Sequence, residues 1–146
     1  MTRAATEPPA ESPRAGVGCV VLDARGRVLL IRRRRPPEAG CWGIPGGKLD
    51  FAEPLKAAAA RELHEETGLI ARGMRLLTVC EQFDGGHWVS PIYRVSGFEG
   101  EARLMEPDKH AGLSWFDPAD PPQPLTAAAR AALAALAASR PARPES

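Results

Sequence analysis

The sequence predicts an α+β domain in which a mixed sheet is flanked by helices. Three observations point there. β-rich apolar runs stand both before and after one long central helix, short Gly- and Asp-containing turns between several of them favour antiparallel pairing, and an alanine-rich helix closes the chain. That order argues against a doubly wound parallel sheet. With 146 residues, the chain is long enough to close a single hydrophobic core.

The elements follow in order. Residues 1–14 carry three prolines and no apolar periodicity, so they read as a tail; the folded domain is expected over 15–140 and a second tail over 141–146. Gly16–Leu22 (GVGCVVL) and Val28–Arg33 (VLLIRR) flank Asp23-Ala24-Arg25-Gly26, which predicts a hairpin. The Arg32–Arg35 run ends it. Pro36-Pro37 and Gly40 mark a loop, Cys41–Ile44 a short strand, and Pro45-Gly46-Gly47 a tight turn. Pro54 then opens a helix over Leu55–Thr67, with Gly68 where a left-handed C-terminal cap belongs. Strands at about 75–83 and 87–98 surround the turn Asp84-Gly85-Gly86, and a last strand covers Leu113–Phe116. The DPADPPQP stretch leads into a closing helix over Leu125–Ser139.

Composition narrows the function. Nineteen Lys plus Arg against eighteen Asp plus Glu leave a net charge of +1, without the basic excess that binding to a nucleic-acid polymer uses. No apolar run approaches the roughly 20 residues of a membrane helix, and the N-terminus lacks the apolar core of a signal peptide, so a soluble cytoplasmic protein without a membrane partner is expected. Cys19, Cys41 and Cys80 have neither CxxC spacing nor a nearby His pair, which argues for free buried thiols over disulfides or zinc. The segment around Gly47-Lys48 does not form a GxxxxGK[ST] phosphate loop, and GVGCVV lacks the third glycine of a dinucleotide fingerprint.

The central helix is unusual. At about 100° per residue, Leu55, Ala59, Glu62, Leu63 and Glu66 share one arc, with Ala58 and Glu65 on its edge, so carboxylates lie on the apolar face. Burying unpaired carboxylates costs several kcal/mol, and clustering raises their pKa values unless cations compensate. A divalent cation answers that problem. Glu53 precedes the helix, and an all-oxygen set suits Mg²⁺ or Mn²⁺ over Zn²⁺. A solvated face, with Arg61–Glu65 paired at i,i+4, fits the same spacing, and periodicity does not separate the two.

Gly47, five residues, Glu53, seven residues, then Arg61-Glu62-Leu63-His64-Glu65-Glu66-Thr67-Gly68-Leu69 matches the Nudix box completely. The chain therefore resembles the Nudix hydrolases. Seven fixed identities make a chance match on the order of 10⁻⁸ per start position. VLLIRR, WGIPGGKLDFAEP, HWVSPIYRV, LMEPDKH and LSWF extend the likeness, which looks strongest to the small members that cleave nucleoside triphosphates. The resemblance implies an α/β/α sandwich and a metal-dependent hydrolysis of a nucleoside diphosphate linked to another group. Here the leading expectation is (d)NTP to (d)NMP and pyrophosphate with Mg²⁺, or Mn²⁺ in its place. An ADP-ribose or nucleotide-sugar pyrophosphatase is the alternative, and a catalytically silent nucleotide-binding module is the reading of another class. Homodimers are common among such relatives.

The same resemblance distributes roles. Glu62, Glu66, Glu65, Glu53 and the Gly46 carbonyl are the expected metal ligands. Glu62 and Glu65 also enter the catalytic set as proton acceptors, and Arg61 joins it by orienting the glutamates. Glu106 and Asp108 are the alternative acids from a later loop. Arg33, Gly47, His87, Trp88 and Asp108 are the expected substrate-binding residues, Arg33 for phosphate and the aromatics for the base. Tyr93, Trp42, Trp115 and Phe116 complete the stock of stacking candidates. Lys48 and His110 receive no role.

Overall fold

Arg14–Val21 forms β1, and its side chains alternate between two cores, as a strand buried on both faces requires. Val17, Cys19 and Val21 pack with Ala58, Ala59 and Leu63 of helix α1 (Leu55–Thr67). Val20 packs with Ala129, Ala132 and Leu136 of helix α2 (Ala127–Ala138). The strands therefore lie between two helices, in an α/β/α arrangement. This computed structural model describes residues 11–139. Of the tails expected at 1–14 and 141–146, residues 1–10 and the whole of the second lie outside the described residues; β1 already begins at Arg14.

Two sheets share the layer. The first has the order β4-β1-β6-β5, built from β4 (Gly46–Lys48), β5 (Ile70–Gln82) and β6 (Trp88–Glu99) around β1. β1 runs antiparallel to β4 and parallel to β6, so the sheet is mixed. The second has the order β3-β2-β7, with β2 (Val28–Arg33) between β3 (Trp42–Gly43) and β7 (His110–Phe116).

The expected hairpin over 16–33 does not form. Its turn closes, with a bridge between Leu22 and Val28, but β1 and β2 then part into different sheets. Both strands are apolar on both faces, and each pairs along a longer partner, β6 and β7 respectively. Nor is Pro45-Gly46-Gly47 a tight turn. Gly46 and Gly47 are extended in β4, without positive φ, opposite Gly18 and Val17. Glycine serves close approach here: a Cβ on Gly46 would overlap the Val17 carbonyl. β5 begins five residues before the expected start, and β7 three.

The helices match expectation closely. α1 spans Leu55–Thr67, and Gly68 caps it at φ 79° with its N–H donating to His64 O. The buried stripe starts at Ala58, however, because Leu55 in the first turn is exposed. α2 starts behind Thr126, whose hydroxyl accepts the Ala129 N–H. Among the described residues no helix is long and apolar enough to cross a membrane.

All three cysteines are free thiols. Burial, then the charges of Glu66 and Glu62, pushes the Cys19 thiol up to about 12, and burial also raises that of Cys80. Iodoacetamide at about pH 8 is therefore expected to modify the half-buried Cys41 and spare Cys19 and Cys80 in the native protein. Mass mapping showing Cys19 alkylated as fast as Cys41 would contradict this packing.

Candidate functional site

The sequence places one arginine among four acids, and the fold gathers them around it. Arg61 donates through Nε to Glu53 Oε2 (2.7 Å) and through its terminal nitrogens to Glu53 Oε1 (3.0 Å), Glu62 Oε1 (3.0 Å) and Glu65 Oε2 (3.3 Å). It also donates to Lys48 O (3.1 Å) and stands 3.5 Å from Asp50. Hydrogen bonding to Arg61 holds the Glu53 carboxyl below the ordinary carboxylate range, and the same bond leads the upward shift of Arg61. One positive charge is thus divided among several negative ones. It does not neutralise them.

Glu66, 7% exposed, lies one helical turn beyond Glu62 and faces β4. Its Oε1 accepts the Gly46 N–H at 2.7 Å, and its Oε2 is 3.3 Å from His110 Nε2. Glu62 lies against Gly47: a Cβ there would come within 2.5 Å of the Glu62 carboxyl carbon. Burial, then Glu66, raises the Glu62 pKa above the usual carboxylate value. The two acids open onto a cleft of about 830 Å³. Arg33, Arg35, Lys109 and Lys48 also line it, so an acidic end is ringed by cations.

The fold brings Glu62, Glu66, Gly46, Gly47, Arg33 and Trp88 together along this cleft. Of the other expected residues Glu106 joins them, and the rest stand apart from the lining. Glu65 is exposed and turned to Arg61, and both Glu53 oxygens accept from Arg61. Gly46 meets the acids through its N–H. Asp108 pairs with Arg35 at 3.3 Å in solvent, and the loop acid that lines the cleft is Glu106. His87 stacks on Phe83 and reaches Glu81, whereas its neighbour Trp88 faces the cleft. Tyr93 belongs to the core, Trp115 stacks on Phe98, and Phe116 meets Trp42 edge-on.

Four lining residues had no signal in the sequence. By sequence Arg14 falls in the tail, Glu38 in a loop and Gln82 in an ordinary strand, and nothing there marks His110. Each reaches the cleft only because distant strands meet there.

The donor set fits a divalent cation. Glu62 and Glu66 are carboxylates largely removed from water; Arg61 reaches Glu62 but not Glu66, whose partners are His110 and the Gly46 N–H, and burial followed by the Glu66 charge holds the Glu62 pKa up. Glu66, Glu106 and His110 also offer ligand atoms within 4.8 Å of one another, and the buried His110 Nδ1 has no hydrogen-bond partner among the described residues. In metal-free protein, folding raises the Glu62 pKa, so its ionisation costs stability above the folded value and nothing below the unfolded one. With EDTA present, Glu62→Gln is expected to melt above wild type near pH 7 and level with it near pH 4. A variant that melts lower near pH 7 would refute the repulsion.

The comparisons agree with this geometry. A family sequence model described as NUDIX domain matches residues 12–136. The MutT NUDIX hydrolase from Burkholderia pseudomallei is 49% identical, and its crystal structure superposes with a TM-score of 0.83 over 86% of this chain and 99% of that one. The ADP-ribose pyrophosphatase of Methanocaldococcus jannaschii is 33% identical over 94 residues, 62% of this chain and 56% of that protein. A MutT-like protein of Streptomyces ambofaciens is 33% identical over 114 residues, 78% of this chain and 69% of its own length. The match thus spans little more than half of the archaeal pyrophosphatase.

Proposed function

This chain belongs to the Nudix family, and from that premise we propose that it hydrolyses nucleoside triphosphates to the monophosphate and pyrophosphate in a Mg²⁺-dependent reaction. The observation that carries the reading is the pair Glu62 and Glu66, held against two glycines at the acidic end of a cleft that Arg33, Arg35, Lys48 and Lys109 also line.

A triphosphate brings several negative charges toward acids that would repel it. Glu62 and Glu66, with Glu65, the Gly46 carbonyl and Glu53 around them, are the proposed ligands of Mg²⁺ or Mn²⁺. When bound, such an ion offsets the substrate's charge, polarises phosphoryl oxygens and acidifies water. The chain's own residues do the rest. Arg61 orients Glu62 and Glu65 while Glu53 holds Arg61 in turn, and Arg33 with Lys109 offers charge-assisted donors to the phosphates. Water adds to phosphorus, the phosphoanhydride P–O bond breaks, and the water's proton passes to a carboxylate. Glu106 lines the cleft and keeps Oε1 free of the Lys109 ion pair, which supports it over Asp108 as the loop residue that accepts this proton.

ADP-ribose hydrolysis is the second reading, favoured by the name of the archaeal relative. Product analysis separates the two. With Mg²⁺ and a panel of dNTPs, NTPs, oxidised nucleotides and sugar nucleotides, pyrophosphate from triphosphates supports the first. Inert triphosphates with AMP released from ADP-ribose would replace it by the second.

A further inference from the structure

We propose that Gln82, held in one orientation by Glu38, reads the base and selects nucleotides whose pairing edge sets an exocyclic amino group beside an unprotonated ring nitrogen, adenine and cytosine, over guanine and uracil, whose central ring nitrogen carries a proton. The inference rests on the nucleotide-hydrolase reading and adds its base class.

Sheet register supplies the position. Arg14, Trp88 and Gln82 face one another across β1, β6 and β5, so their side chains emerge in one row on one face. All three line the cleft. The Arg14 guanidinium lies 5.8 Å from the Trp88 ring centroid, which supports that ring as a platform. β4, whose glycines meet Glu62 and Glu66, is three interstrand steps from β5, or about 14 Å at the usual spacing. A nucleotide with its phosphates at the acidic end therefore extends its base toward this row.

Chemistry supplies the selectivity. Glu38 Oε2 accepts the Ala127 N–H at 2.7 Å, and its Oε1 accepts from Gln82 Nε2 at 3.3 Å. A carboxylate only accepts, so Gln82 must turn its NH₂ toward Glu38, and its carbonyl oxygen and second N–H remain for a ligand. An amino group can donate to that carbonyl while the adjacent ring nitrogen accepts from the amide. In guanine and uracil the order is reversed: a keto oxygen at the same point meets the Gln82 carbonyl and Glu38, both acceptors, and the protonated ring nitrogen beside it faces the amide N–H, donor against donor. Capping uses one Glu38 oxygen: Thr126 takes the Ala129 N–H and Glu38 Oε2 the Ala127 N–H, which leaves Oε1 for Gln82, and Glu38 keeps this place despite a left-handed backbone, φ 62°, that disfavours a side chain.

Binding tests this without turnover. Dissociation constants for the α,β-methylene analogues of ATP, CTP, GTP and UTP, measured by calorimetry with Mg²⁺, are expected to favour the ATP and CTP analogues by about tenfold. Gln82→Leu should bring the four values together. Equal binding by the wild type, tighter binding of GTP or UTP analogues, no binding at all, or a preference that survives Gln82→Leu would each overturn the proposal. Hydrolysis of triphosphates without base preference sinks this inference and leaves the hydrolase reading standing. The binding preference without hydrolysis of any panel member does the reverse.

Discussion

Glu62→Gln is expected to lower kcat by about 10²-fold or more, while the protein unfolds at or above the wild-type temperature. The substitution keeps the side chain's length and its contact with Gly47 but removes one of the paired helix charges, Glu62 and Glu66, that line the cleft. Folding does not need that charge. Burial and Glu66 already work against it, so a neutral amide relieves repulsion. Loss of turnover with stability retained would mark an acid kept for chemistry. Glu66→Gln should impair turnover as well, although the Gly46 N–H and His110 beside it make its structural consequences harder to separate. Near-full activity in both variants would refute the assignment of this helix.

Gly47→Ala should cost activity on a similar scale, about 10²-fold, through geometry and not charge. The new methyl would lie 2.5 Å from the Glu62 carboxyl carbon and 2.6 Å from each of its oxygens, too close for any real contact. Gly47 has no positive φ, so the backbone accepts alanine, and the flexible Glu62 side chain is what gives way. Divalent-ion affinity, read by Mn²⁺ titration, should weaken together with kcat, and the melting temperature should change little. Gly46→Ala provides the contrast. There the methyl meets the Val17 carbonyl, which cannot move without breaking the β1–β4 pairing, so loss of folded protein is expected. Wild-type kinetics for Gly47→Ala would mean that Glu62 does not need the position described.

The two glycines also show where reading the chain stops. Beside Pro45 they look like a turn, because composition does not distinguish a glycine chosen for positive φ from one chosen for close approach. The hairpin over 16–33 failed for a related reason. Strands buried on both faces carry no alternation to say which partner they take, and β1 and β2 went to different sheets. α1 was readable to both ends because Pro54 and Gly68 act locally, at the helix termini themselves.

By itself the sequence determined the α+β class, the limits of α1, the spacing that arrays Glu62, Glu65 and Glu66 along one helix, and the Nudix pattern that contains them. All of these depend on residues near one another in the chain. Tertiary structure alone decided that Glu62 and Glu66 face the cleft while Glu65 turns to Arg61, and that Glu106 lines it instead of Asp108. It alone brought Arg14, Trp88, Gln82 and Glu38 to a common wall. Those choices follow from which strands pair and which faces they bury, and both are settled by contacts between residues distant in sequence.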